Sequence, residues 1–163
     1  MATARGGGGS YESPSLQLIM RRSWDRPTQS DWTEVLGALP LFSGLRKRQL
    51  RGIAKLAKVV DYSSGEVIVQ KGERGDSFYL VLDGRARVMG KSRVLRPGDF
   101  FGELALIDGG PRSATITATS AVRVMQLPRS SFLKALEQDS QIGLAIMQVL
   151  AARVRGLERA AAK

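Results

Sequence analysis

This chain of 163 residues contains no cysteine and no histidine. Without cysteine there is no disulfide framework, no thiolate nucleophile and no thiolate metal site. Without histidine the commonest general base and metal ligand is gone too, so most hydrolytic and metal chemistry is disfavoured and a non-enzymatic, metal-free protein is expected. Long apolar runs are also absent. Nothing reaches the length needed to cross a bilayer, and Leu16-Gln-Leu-Ile-Met20 is too short and too poorly flanked for a secretory signal, which points to the cytoplasm. Aromatic residues make up only 6%, yet the hydrophobic fraction of 43% is ordinary and suffices for one domain with a core plus extensions.

The chain is rich in positive charge, with a formal net charge of +10. Residues 1–50 hold 7 basic against 4 acidic side chains, residues 51–100 hold 10 against 6, and residues 101–163 hold 8 against 5. Charge spread this evenly serves solubility more often than a dedicated nucleic-acid face, so nucleic acid is not the favoured partner. Only Arg46 to Lys58 stands out, with six basic residues and no acid.

Residues 1–15 are rich in Gly, Ser and Ala, including Gly6-Gly-Gly-Gly-Ser10, and cannot bury enough apolar surface to offset the entropy of ordering. Residues 1–30 are therefore expected to form a flexible or partly helical extension, any helix in it ending before Pro27. A domain is expected over residues 31–160. Ser30 or Asp31 can cap a helix carrying Trp32, Val35, Leu36 and Leu39, which Pro40 interrupts. Ser43 or Gly44 can open a second, with Leu50, Ile53, Ala54 and Ala57 on one side and Lys47, Arg51, Lys55 and Lys58 on the other.

Between Val59 and Leu127 the period becomes alternating, with glycine-bearing turns at Ser64-Gly65, Gly72 to Asp76, Asp83-Gly84, Gly90-Lys91 and Pro97-Gly-Asp99. Seven or eight short strands so spaced imply an antiparallel barrel or jelly roll. Glu103 to Ile107 breaks the alternation and reads as one helical turn. After Pro128 the helical period returns: one helix starts at Pro128 or Ser130, and Asp139 or Ser140 caps a longer one carrying Ile142, Ile146, Val149, Leu150, Val154 and Leu157. The fold class is α+β, a β-barrel or jelly roll with N-terminal helices and two C-terminal helices.

The interrupting stretch carries the chemistry. The start of a short helix presents unpaired backbone amides, and Gly102 permits close approach of an anion. Arg112 adds a planar fork of donors that can hold two phosphate oxygens, and the small Ser113 and Ala114 let the backbone close around them. Glu103 is placed to accept a hydrogen bond from a sugar hydroxyl. The plain alternative is that Glu103 and Arg112 form an ordinary salt bridge with each other.

Phe101-Gly-Glu-Leu-Ala-Leu followed by Pro111-Arg-Ser-Ala-Thr115 resembles the phosphate-binding cassette of the cyclic nucleotide-binding domain family, which includes the bacterial catabolite activator protein, the regulatory subunits of cAMP-dependent protein kinase and cyclic-nucleotide-gated channels. Gly65-Glu-Val-Ile, Gly72-Glu-Arg-Gly-Asp-Ser-Phe-Tyr79 and Gly84 resemble the family's early strands, and Leu39-Pro-Leu-Phe-Ser-Gly-Leu45 its helical entry. The resemblance implies that Glu103 binds the ribose 2′-hydroxyl and Arg112 the exocyclic phosphate oxygens. It also implies that amides near Gly102, Leu104, Ala105 and Ala114 complete the phosphate cradle, and that Val88 and Leu95 wall the base. Family members selective for cGMP often carry threonine where this chain has Ser113, and the activator has serine and prefers cAMP, so cAMP is the favoured ligand and cGMP the other candidate.

Two departures matter. Ser140 stands where the family often has proline between its last two helices, and the sequence contains no counterpart of the activator's winged helix-turn-helix, so a stand-alone domain with an unassigned protein effector is expected. The family fold lets the final helix close over the base and transmit occupancy, with Met147, Leu150, Arg153 and Val154 in the region that would cap it. That helix is also where two copies could pair. The leading expectation is a cyclic-nucleotide sensor that shifts its C-terminal helix on binding. The alternative is an interaction module of the same fold that binds an acidic partner, nucleic acid or membrane surface through Arg46 to Lys58, independently of nucleotide.

Overall fold

The strand Ser77–Asp83 (β3) explains how the molecule is layered. Its side chains alternate across the sheet, as in any strand, but both sides are buried. Phe78, Leu80 and Leu82 enter a core shared with the helices, while Tyr79 and Val81 enter the interior of the roll. Met125 and Leu127 against Val122 and Val124 divide in the same way, as does Phe100 against Phe101. One sheet therefore separates two apolar cores, and the chain between them is fixed on both faces.

The computed structural model describes residues 14–162. The glycine-rich run Gly6 to Ser10 and the rest of residues 1–13 lie outside them. The remaining strands are Lys58–Tyr62 (β1), Val67–Val69 (β2), Ala86–Val88 (β4), Arg93–Leu95 (β5), Phe100–Phe101 (β6), Ile116–Ala118 (β7) and Val122–Pro128 (β8). They form two antiparallel four-stranded sheets, ordered β1-β8-β3-β6 and β2-β7-β4-β5. The eight strands and flanking helices are the antiparallel roll and helices expected of the sequence.

The helices are Pro14–Met20 (α1), Gln29–Gly37 (α2), Lys47–Ala54 (α3), Glu103–Asp108 (α4), Arg129–Gln138 (α5) and Ser140–Ala161 (α6), with a 3-10 turn at Pro40–Phe42. Several boundaries differ from the sequence expectation for local reasons. Pro14 and Ser15 open α1, and its Leu16 is 1% exposed in the helical core, so those two residues are not part of an unstructured lead. The cap of α2 is Thr28, neither Ser30 nor Asp31, because Thr28 and Asp31 form a reciprocal capping box: Thr28 Oγ1 accepts from Asp31 N at 3.2 Å and Asp31 Oδ2 from Thr28 N at 2.8 Å. Helix α3 starts after Arg46, beyond Ser43 and Gly44, with Gln49 Oε1 accepting from Arg46 N at 2.9 Å. It ends at Ala54, so Lys58 opens β1 and does not share the basic helical face. Asp139 caps α6 by accepting from Gln141 N at 3.0 Å.

The segment ahead of α2 is tied down. Trp24 stacks on Trp32 with centroids 5.6 Å apart. Arg123 on β8 grips Asp61 on β1 with two hydrogen bonds, of 2.8 and 3.0 Å, and its Nη1 donates to the carbonyls of Trp24 and Asp25. That guanidinium holds the Asp61 carboxyl below its ordinary pKa.

Candidate functional site

Helix α4 exists because glycines bracket it. Gly102 at its start and Gly109 at its end both adopt left-handed backbone, φ 82° and 66°, which lets the chain leave β6, make a short helix and turn back. Gly75 fixes its seat: a Cβ there would lie 2.2 Å from the Cβ of Ala105, so α4 packs directly on backbone. The loop carrying Gly72 to Asp76 then clasps the segment that leads from α4 to β7. Gly75 N donates to Gly110 O at 2.9 Å, Arg112 N to Glu73 O at 2.8 Å, and Gly72 N to Arg112 O at 2.9 Å. Thr115 Oγ1 accepts from Lys71 N at 2.9 Å.

Arg112 is only 8% exposed. Its Nη2 donates to the carbonyl of Ser77 at 2.8 Å and lies 3.7 Å from the exposed carboxylate of Asp76. The guanidinium carbon sits 5.6 Å from the centroid of Tyr79, which stacks in turn on Phe101 at 4.9 Å. Beneath, Gln126 Nε2 donates to Ser77 Oγ at 2.9 Å and to Tyr79 Oη at 3.4 Å. Burial, with Tyr79 alongside, pushes the neighbouring Tyr62 phenol up to about 12. The arginine is thus held rigidly through one nitrogen and one face. Its Nε and Nη1 donate to no group among the described residues. A desolvated guanidinium with free donors, beside the amide-rich start of α4, can bind an anion with two oxygens.

Glu103, the first residue of α4, does not pair with Arg112. Its carboxylate, 11% exposed, makes an ion pair and hydrogen bond with Nη1 of Arg153 on α6. The ordinary Glu103–Arg112 bridge allowed by the sequence is therefore not formed, and the acid instead links the cassette to the last helix. Arg129, in the first turn of α5, makes a second link: its Nη2 donates to Ile107 O at 3.0 Å near the end of α4, and its backbone N to Asp76 O at 2.7 Å.

Gly102, Glu103, Leu104 and Ala105 lie at the start of α4, with Arg112, Ser113 and Ala114 on the segment that leads from α4 to β7. Leu104 and Ser113 are exposed, and Ala114 packs against the roll interior. Val88 on β4 and Leu95 on β5 are buried in that same interior, 6% and 0% exposed. Sequence reasoning missed Asp76, Ser77 and Tyr79 as the seat of Arg112. The Gly-Asp-Ser-Phe-Tyr run was visible, but its carbonyl and ring contacts depend on a loop clasp made 35 residues away.

An antiparallel roll interrupted by one short helix, with a buried arginine beside it and the last helix tied to its first residue, defines a β-roll domain with a candidate anion site. Residues 59–139 match the family model described as the cyclic nucleotide-binding domain. The chain belongs to the cyclic nucleotide-binding domain family. It is 39% identical over 106 residues to a cAMP-dependent protein kinase regulatory subunit of Aspergillus fumigatus, covering 62% of this chain and 26% of that protein. It is 26% identical over 130 residues to a CRP-like cAMP-activated global transcriptional regulator of Mycobacterium tuberculosis, covering 75% of this chain and 58% of that one. The N-terminal domain of a Streptomyces coelicolor transcriptional regulator superposes with a TM-score of 0.67 at 28% identity, covering 77% of this chain and 93% of the other. The chain thus spans about a quarter of the length of the kinase subunit and somewhat over half that of the bacterial regulator. Among the described residues no helix is long and apolar enough to cross a membrane, and no group of three or more acidic side chains could hold a metal ion.

Proposed function

We propose that this domain is a cyclic-nucleotide sensor with cAMP as its preferred ligand. The observation that carries the reading is Arg112, buried, clamped through Ser77 and Tyr79, and left with free donors next to Gly102 and the first amides of α4. Arg112 and the amides of Gly102, Leu104, Ala105 and Ala114 take the cyclic phosphate, Glu103 accepts from the ribose 2′-hydroxyl, and Val88 and Leu95 line the base side of the roll, with Ser113 facing the base. The regulatory relatives, named for their dependence on or activation by cAMP, support the nucleotide reading over a nucleotide-independent basic module.

The Glu103–Arg153 pair supplies the output. A ribose hydroxyl that engages Glu103 competes with Arg153, and a ligand shifts a helix only through such differential contacts. We place the sensor in the cytoplasm as a non-catalytic module. Met147, Val154 and Leu157, which are 60%, 53% and 71% exposed along α6, are the apolar face on which a second copy would pair. Calorimetric titration with cAMP and with cGMP tests the reading: one saturable site per chain, tighter for cAMP, is expected, and heat indistinguishable from dilution for both nucleotides refutes it.

A further inference from the structure

Helices α3 and α5 do not close fully against one another, and a groove of about 310 Å³ runs between them. Leu56, Ala135 and Ile142 line it with apolar surface, while Arg48 from α3 and Lys134 from α5 stand on it as exposed cations. Neither cation has an ion-pair or hydrogen-bond partner among the described residues. The one carboxylate in the groove, Asp139, is already engaged on both oxygens, by Gln141 N at 3.0 Å and by Gln49 Nε2 at 3.3 Å. The groove therefore combines an apolar lining with uncompensated positive charge, and its α3 side belongs to Arg46 to Lys58, which holds six basic residues and no acid.

We propose that this groove docks an acidic amphipathic helix of a partner protein. Apolar side chains at helical spacing would cover the partly exposed Leu56 and Ala135 above the buried Ile142, and carboxylates flanking them would meet Arg48 and Lys134. A duplex or a bilayer surface matches the cations but leaves the apolar lining uncovered, so the helix is the occupant that satisfies both features. The groove also crosses the joint between α5 and α6. Asp139 caps α6 and Ile142 lies in its first turn, so an occupant restrains the start of the helix whose Arg153 holds Glu103. A partner that favours one position of α6 changes ligand affinity at the cassette, and the ligand changes partner affinity by the same factor. The docking itself does not depend on what ligand the cassette takes.

The test uses the full chain and a helical peptide with leucines at i, i+3 and i+7 and glutamates on the flanks, against the same peptide with lysines for glutamates. Fluorescence anisotropy should show saturable binding of the acidic peptide alone, with amide shifts at Arg48, Gly52, Lys134 and Ala135. Binding should weaken at least about tenfold in the Arg48→Glu/Lys134→Glu variant and fall as salt is raised. Gly52 lines the groove, and a Cβ there meets nothing within 4 Å, so Gly52→Trp blocks the groove with its charge intact. Thermal unfolding and a cAMP titration of each variant report that the fold and the cassette are unaltered. Absence of saturable binding, or binding that survives either the charge reversal or Gly52→Trp, overturns the proposal. Binding of phosphatidylglycerol vesicles or a short DNA duplex that needs Arg48 and Lys134, with none of the peptide, overturns it in favour of a polyanionic surface.

Discussion

Gly102→Ala probes the geometry that holds Arg112. The glycine has φ 82°, and a Cβ added there would lie 2.5 Å from Arg112 Nη1 and 2.6 Å from Ser77 O. Ser77 belongs to β3 and is paired with Pro128 on β8, so its carbonyl cannot retreat, and the methyl group is driven against the arginine. Left-handed backbone costs about 1–2 kcal/mol for a residue with a side chain. Losing the buried charge-assisted hydrogen bond from Arg112 to Ser77 costs a further 1.5–3 kcal/mol or so. The variant should therefore be less stable by about 3–5 kcal/mol, a drop in Tm of roughly 6–20 °C for a domain of this size. Gly65→Ala is the matched control, since Gly65 has φ 90° but a Cβ there meets no atom within 4 Å, leaving the backbone cost of about 1–2 kcal/mol alone. Thermal unfolding followed by circular dichroism measures both, and calorimetry with cAMP should show affinity lost in Gly102→Ala and kept in Gly65→Ala. Equal destabilisation of the two variants, or unchanged affinity in both, would refute the reasoning.

Other perturbations isolate single contacts. Thr28→Ala removes one half of the capping box on α2 and should cost about 1 kcal/mol in urea unfolding, whereas Ser30→Ala, inside the helix, should be near neutral. Arg153→Ala leaves a carboxylate that is 11% exposed without its partner and should cost about 1–3 kcal/mol; a double-mutant cycle with Glu103→Gln that shows no coupling contradicts the pair. Because the Tyr62 phenol titrates at about 12 in the folded chain and near 10 when unfolded, the unfolded state loses its proton first. Its contribution is complete below pH 10 and disappears as the pH rises through 12, so Tyr62→Phe should flatten the loss of stability over that window.

Much of the roll could be read from the chain because alternation and glycine-bearing turns are local signals. Glu103 to Ile107 stood out as a helix for the same reason, since its spacing broke the strand period. The alternation in β3 did not reveal that both its faces are buried, which depends on helices packing from outside the roll. The cap of α2 moved to Thr28 because a reciprocal bond with Asp31 outweighs a cap closer to the apolar stripe. Glu103 and Arg112 were legible as charged residues in small or apolar surroundings, but their partners were not. Arg112 is held by a backbone carbonyl, which no sequence pattern displays, and Glu103 by an arginine 50 positions away whose approach is set by how α6 lies.

The central claim is that Arg112 binds the phosphate of a cyclic nucleotide. Calorimetric titration of cAMP into the parent chain and into Arg112→Ala, with thermal unfolding confirming that both are folded, tests it most directly. Loss of a charge-assisted bond to a desolvated anion should cost about 1.5–3 kcal/mol, or roughly 10- to 150-fold in Kd. A folded Arg112→Ala variant that binds cAMP as tightly as the parent would contradict the account.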